Sequence, residues 1–134
     1  MTKIRLPAKP ENLGKFLEFV SCLAGQYGFP AAAAKEIELA AEEALINIIH
    51  YAYPEKTGEV EIRYKKDDDT SLKLEIVDNG IPFDPLSLSD PDLTANVSDR
   101  KVGGLGVMFI REMTDDVHYR RDGDANVLTL VFSK

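Results

Sequence analysis

The sequence predicts an α+β fold, a two-layer sandwich in which helices cover one face of a mixed, mainly antiparallel sheet. Two observations carry this. Segments with a helical apolar period are segregated from segments with strand alternation instead of interleaving one by one. The strand-like segments also come as pairs joined by short polar turns, the pattern of hairpins.

Residues 2–6 alternate polar and apolar as a short strand, which Pro7 and Pro10 break. Residues 11–27 place Leu13, Phe16, Leu17, Val20, Leu23 and Ala24 at helical spacing, and Gly28 fits a C-terminal cap. Pro30 opens a second helix that runs to about residue 53, where Pro54 stops it. At about 100° per residue, Ile37, Ala40, Ala41, Ala44, Ile48, Tyr51 and Ala52 share one face, and Leu39, Ile46 and Ile49 lie opposite. Apolar on two sides, this helix is expected to be buried on two sides, between the sheet and the first helix. Residues 59–65 and 72–78 alternate as strands around a polar turn at 66–71. Residues 105–113 form a short apolar helix, with Met108 and Met113 as expected core. Residues 117–121 and 127–132 are two last strands around a turn at 122–126.

The stretch 80–103 has three prolines, many Ser and Asp, and little periodicity. Structureless loops beyond about 12–15 residues are uncommon in a compact domain and are usually functional or disordered. Glycines at both ends suit a lid.

At 134 residues the chain is expected to be one domain. Its 44% apolar and 29% charged residues suit a globular protein. Sixteen basic against 23 acidic residues leave a net charge of −7, which disfavours a non-specific grip on nucleic acid. The one cysteine, Cys22, lies among apolar residues and is expected to be a buried thiol without a disulfide. No apolar run approaches the about 18 residues of a membrane span, and residues 1–9 contain no leader-like core. No membrane association is expected, and the cytoplasm is the expected compartment.

Three constellations bear chemistry. Glu43 and Asn47 are four residues apart, stacked on the flank of the second helix with Glu36. Polar groups at the margin of a buried helix need partners. An internal hydrogen bond would serve. So would a hard cation on the Asn47 amide oxygen, with Glu43 as base or water-positioner. The run D-N-G-I-P-F-D-P at 78–85 puts an acid at a strand end beside a glycine. It is either an Asx turn or an acceptor for an exocyclic amine. The run K-V-G-G-L-G-V-M-F-I at 101–110 sets three glycines at a helix start, where free N–H groups meet the positive helix end. It is neither a Walker A loop nor a dinucleotide fingerprint. His50 and His118 are expected on the surface, and Tyr51 and Tyr53 are expected to pack the end of their helix.

Together these runs resemble the GHKL ATPase superfamily and, within it, the anti-sigma-factor serine/threonine kinase family. The likeness spans nearly the whole chain, including E-E-A-L-I-N-I-I-H-Y-A-Y at 42–53, G-G-L-G-V-M-F-I-R-E-M-T-D-D-V-H-Y at 103–119 and N-V-L-T-L-V-F at 126–132. The resemblance implies a Bergerat ATP-binding fold with an ATP lid at about 80–103. It implies Asn47 as Mg²⁺ ligand, Glu43 as catalytic carboxylate and Asp78 as the adenine-reading acid, with Gly80 giving space beside the base. Gly103, Gly104, Leu105 and Gly106, with Arg100 and Lys101, are the implied phosphate contacts. The implied cofactors are ATP and Mg²⁺. The implied partners are an anti-anti-sigma (STAS-type) protein, phosphorylated on serine, a sigma factor, and a second copy in a homodimer. Pro82 stands where many superfamily members have a second glycine, and the lid lacks a basic run. Those departures leave a non-catalytic, nucleotide-gated interaction switch as the alternative.

Overall fold

The structure is a computed structural model that describes residues 3–54, 57–68, 70–87 and 104–134. Strand β1 (Lys3–Pro7) leads through a single 3₁₀ turn (Pro10–Asn12) into helix α1 (Leu13–Gln26). Gly28, at φ 77°, takes the left-handed conformation that ends α1, and the Phe29 N–H closes the turn on the Ala24 carbonyl at 3.0 Å. Helix α2 (Ala31–Tyr51) follows Pro30. Strands β2 (Glu59–Asp68) and β3 (Ser71–Asp78) form a hairpin. Helix α3 (Gly104–Met113), β4 (Asp116–Asp122) and β5 (Ala125–Ser133) complete the order.

The five strands form one sheet in the order β1-β2-β3-β5-β4, and each pairing is antiparallel. No parallel pair occurs among the described strands, so the sheet is simpler than the mixed one expected. The strands also run further into their turns than the polar composition implied. β2 continues to Asp68 through a register slip between Lys66 and Asp68, and β5 begins at Ala125, after a tight turn at Gly123. Backbone pairing outlasts the apolar alternation, because ladder hydrogen bonds do not need an apolar side chain.

Period-2 alternation sends every second residue to the helices. The register lines these up in rows, such as Ile4, Ile62, Ile76, Leu128 and Tyr119. Ile62, Ile76, Leu74 and Leu130 are fully buried there against Phe16 and Val20 of α1, Ile37, Ala44 and Ile48 of α2, and Ile110 of α3. α2 packs against both α1 and α3. Its sheet-side face is buried as the helical wheel requires, but Leu39, Ile46 and Ile49 are only half-buried. Among the described residues no third layer covers them. In α3 the buried residues are Val107 and Ile110. Met113 only borders the core and Met108 is half-buried.

Cys22 is exposed, contrary to expectation. Val20 and Leu23 hold the core face of α1, and Cys22 stands about 200° round the helix from Val20. It borders a groove of about 400 Å³ with Ile4, Phe19 and Leu23. No helix among the described residues is long and apolar enough to cross a membrane.

The turn after β3 is fastened to the end of α2. The Ile81 N–H donates to the Ala52 carbonyl at 2.9 Å, and a Cβ on Gly80 would stand 2.1 Å from that same oxygen. Gly80 therefore serves close approach of two backbones, not a left-handed turn. Gly80→Ala is expected to push the turn off α2 and destabilise the fold by about 1–3 kcal/mol in chemical denaturation. An unchanged midpoint would show that the turn floats free of the helix.

Candidate functional site

One row of the sheet changes character. Next to the apolar row through Ile76 lies the row Leu6, Val60, Asp78, Asn126 and Arg121. It faces the helices by the same alternation, but its β3, β5 and β4 members are polar. Asp78 and Asn126 are both buried.

Asp78 Oδ1 accepts from the Gly80 N–H at 2.9 Å and from Asn126 Nδ2 at 2.8 Å. Oδ2 has no hydrogen bond among the described residues. Burial pushes the carboxyl above the usual carboxylate range, against the opposing pull of Asn126, the Gly80 N–H and Arg121. The Asx turn read from D-N-G is therefore real, and it leaves one carboxylate oxygen uncommitted. Tyr53, just beyond α2, braces the same corner. Its hydroxyl donates to the Glu59 carbonyl at 2.6 Å and accepts from the Asn79 N–H at 2.8 Å. The Tyr51 ring packs on Phe83 with centroids 5.3 Å apart and the planes tilted by 40°.

On α2, Asn47 is fully buried, and among the described residues neither its amide oxygen nor its nitrogen has a hydrogen-bond partner. Leaving such groups unmet costs about 1–3 kcal/mol, so they are rare in native folds without a reason. The donor set fits an Mg²⁺-bound triphosphate: a hard amide oxygen for the cation and two N–H groups for phosphate oxygens. Glu43, one turn earlier, is half-buried. Burial, and then the neighbouring Glu42, raise its carboxyl above the ordinary value. Glu36 is exposed and stands apart from this pair.

Gly104, Leu105 and Gly106 form the first turn of α3, so the helix begins one residue earlier than its apolar period indicated. The N–H groups of a first helical turn have no acceptor within the helix. α3 packs on α2. Residues 80–87 of the long loop are described and include a 3₁₀ turn at Pro85–Ser87, which Arg111 of α3 tethers at 3.2 Å through the Leu86 carbonyl. Arg100, Lys101, Gly103 and the rest of 88–103 lie outside the described residues. His50 and His118 are exposed, and His118 lies 3.8 Å from Asp116.

α2 is thus the common element. Asn47 and Glu43 lie along it, the Asp78 turn is bonded to its end at Ala52, and α3 packs against it. Asn126 went unnoticed in the sequence because 122–126 reads as a turn. The signal was its parity with Leu128, Leu130 and Phe132, which marks it as inward-facing.

The sequence model of the histidine kinase-like ATPase domain matches residues 6–132. The serine-protein kinases RsbW of Listeria monocytogenes and Listeria innocua are each 30% identical over 132 residues, covering 94% of this chain and 83% of theirs. The chain belongs to the anti-sigma-factor serine kinase family of histidine kinase-like ATPases. A further member of that family, RsbW of Bacillus cereus, is 29% identical over 130 residues. Among solved structures, the RsbU and RsbW domains of a Mycobacterium tuberculosis protein align with a TM-score of 0.65 at 12% identity, over 99% of this chain and 32% of that one. The blue-light activated histidine kinase of Erythrobacter litoralis gives 0.56 at 15% identity, over 90% and 41%. At those identities the two structures bear on the fold alone, and both share it.

Proposed function

We propose that this family member is an anti-sigma-factor serine/threonine protein kinase that uses Mg²⁺-ATP, phosphorylates a serine of an anti-anti-sigma (STAS-type) partner, and regulates a sigma factor by binding it. The observation that carries the nucleotide site is the buried amide of Asn47, without a hydrogen-bond partner among the described residues, on the helix that also bears Glu43.

Asp78 Oδ2 accepts from the adenine amine. Asn47 would hold a magnesium ion, which would supply charge neutralisation to the triphosphate oxygens. The first turn of α3, with Gly103, Arg100 and Lys101 before it, receives the phosphates. Glu43 takes the proton of the partner's serine hydroxyl as its oxygen bonds to the γ-phosphorus. The bond from that phosphorus to the bridging oxygen breaks, and ADP leaves. The whole chain works as one nucleotide-binding unit with residues 80–103 as its lid. It acts in the cytoplasm as a homodimer.

The test is incubation with γ-labelled ATP, Mg²⁺ and a STAS-type partner, with the partner's serine-to-alanine variant as control. Label on the wild-type partner alone is expected. ATP binding without transfer to any partner would leave only the switch reading. Asp78→Asn turns one carboxylate acceptor into an amide and is expected to weaken ATP binding by about tenfold or more in calorimetry while the protein stays folded. Undiminished affinity would remove Asp78 from the site.

A further inference from the structure

Asn126 is used to capacity. Its Nδ2 donates to Asp78 Oδ1 and to the Ile81 carbonyl, each at 2.8 Å. Its Oδ1 accepts from the Phe83 N–H and from Arg121 Nη1, each at 3.2 Å, and from the Tyr119 hydroxyl. Two acceptors face the nitrogen and three donors face the oxygen, so the amide has only one sensible orientation. No other side chain of this size offers both functions: Asp lacks the donors, and Thr has a single hydroxyl.

The network joins the ends of β3, β5 and β4 at this corner. Arg121, on the edge strand β4, also donates to the Gly80 carbonyl at 2.9 Å and to the Gly123 carbonyl at 3.1 Å. Asn79 reaches across to the Asp124 carbonyl at 3.4 Å. The turn 79–83 is thereby bolted to the β4–β5 hairpin on one side and to Ala52 of α2 on the other. Among the described residues, Asn126 is the one side chain hydrogen-bonded to the carboxylate of Asp78, the turn and β4 together.

We propose that Asn126 is a positioning residue of the nucleotide site, holding Asp78 Oδ1 and the 80–83 turn in a single arrangement so that Asp78 Oδ2 stands free to accept the purine amine. This rests on Asp78 being the base-reading acid. Asn126 itself does not contact nucleotide in this scheme. It saturates one carboxylate oxygen and so fixes which oxygen is offered, and by donating to it favours the ionised form against the effect of burial. Among the described residues, the other titratable groups acting around Asp78 are Arg121 of β4 and Tyr53 beyond α2.

The test is Asn126→Asp, which keeps size and replaces the donor by an acceptor facing two acceptors. ATP affinity is measured with Mg²⁺ by calorimetry from about pH 8 to about pH 5.5, beside wild type and Asp78→Asn. At the alkaline end the variant is expected to bind about tenfold or more weakly. Its affinity is expected to recover as the pH falls, because one proton shared by the two carboxyls restores the donor, whereas wild type stays level or weakens. A filler role would give a loss that does not depend on pH. Wild-type affinity at all pH values in Asn126→Asp, with binding lost in Asp78→Asn, overturns the positioning role and leaves the nucleotide site standing. Undiminished binding in Asp78→Asn overturns the reading beneath it. Should Asn126→Asp fail to fold at the alkaline end, the side-chain amide protons of Asn126 in wild type decide by NMR. They are expected to shift when ATP and Mg²⁺ saturate the protein, and unmoved resonances overturn the proposal.

Discussion

Glu43→Gln is expected to lower phosphotransfer to the partner's serine by about 10²–10⁴-fold, the span of a lost general base, with nucleotide affinity nearly unchanged. The separation of the two effects follows from position. Asn47, not Glu43, carries the unmet amide suited to the cation, while Glu43 offers a carboxylate one helical turn away. Burial and then Glu42 raise its carboxyl, which moves a weak base toward the working pH. The wild-type rate should fall as acid protonates Glu43, and that acid limb should vanish in the variant. The stability effect has the opposite sign. Because the folded value lies above the unfolded one, the group's contribution to stability is complete below the unfolded value and is lost as the pH rises through the folded value. At neutral pH the half-buried, ionised carboxylate is a burden that glutamine lacks. The variant should therefore melt at or above the wild-type temperature at neutral pH and match it in acid. Equal transfer by both proteins would remove Glu43 from the chemistry. A sharply lower melting temperature would make it structural.

The fold was legible where one face of an element meets oil and the other meets water. Alternation at 59–65 and 72–78 and the helical period of 11–27 each mark a half-buried surface, and the matching strands and helices stand within a few residues of those bounds. Legibility failed where neighbours in sequence say little about neighbours in space. Cys22 shares its stretch with Val20, Leu23 and Ala24, yet its angle round α1 turns it outward. The start of β5 reads as a turn because Asp122, Gly123, Asp124 and Asn126 are all turn-formers, while the strand starts before Asn126 and buries it. Gly80 is needed for a contact with Ala52, 28 residues away in sequence, and no local pattern encodes that. Asn47 was visible as a polar residue beside a buried face, but not as one with no internal partner. The alternatives at Asn47 were an internal hydrogen bond or a ligand, and only tertiary structure separates them. The helix-facing row that ends in Asp78, Asn126 and Arg121 is the same fact seen across three strands: a core row made polar at the sheet's end.

Asn47→Leu is expected to raise the melting temperature of the ligand-free protein and abolish the further rise that Mg²⁺-ATP gives wild type. Leucine has the same branching and heavy-atom count as asparagine and leaves no donor or acceptor in a fully buried position. Removing the unmet amide should recover about 1–3 kcal/mol, or roughly 4–10 °C for a chain of this length. With ligand the order reverses. Wild type at a hundredfold excess of ATP over Kd should gain about 2.7 kcal/mol by mass action, while the variant has no amide oxygen to offer the cation and gains little. Thermal melts of both proteins, with and without Mg²⁺-ATP, are the measurement. A variant less stable than wild type without ligand would mean that Asn47 has an internal partner. A ligand-induced rise kept intact by the variant would place the cation elsewhere. The two outcomes separate because stability reports on the amide alone, and the ligand shift reports on what the amide is for. A residue kept at a cost to the empty fold and repaid on loading is hard to explain by packing, since packing would have chosen leucine.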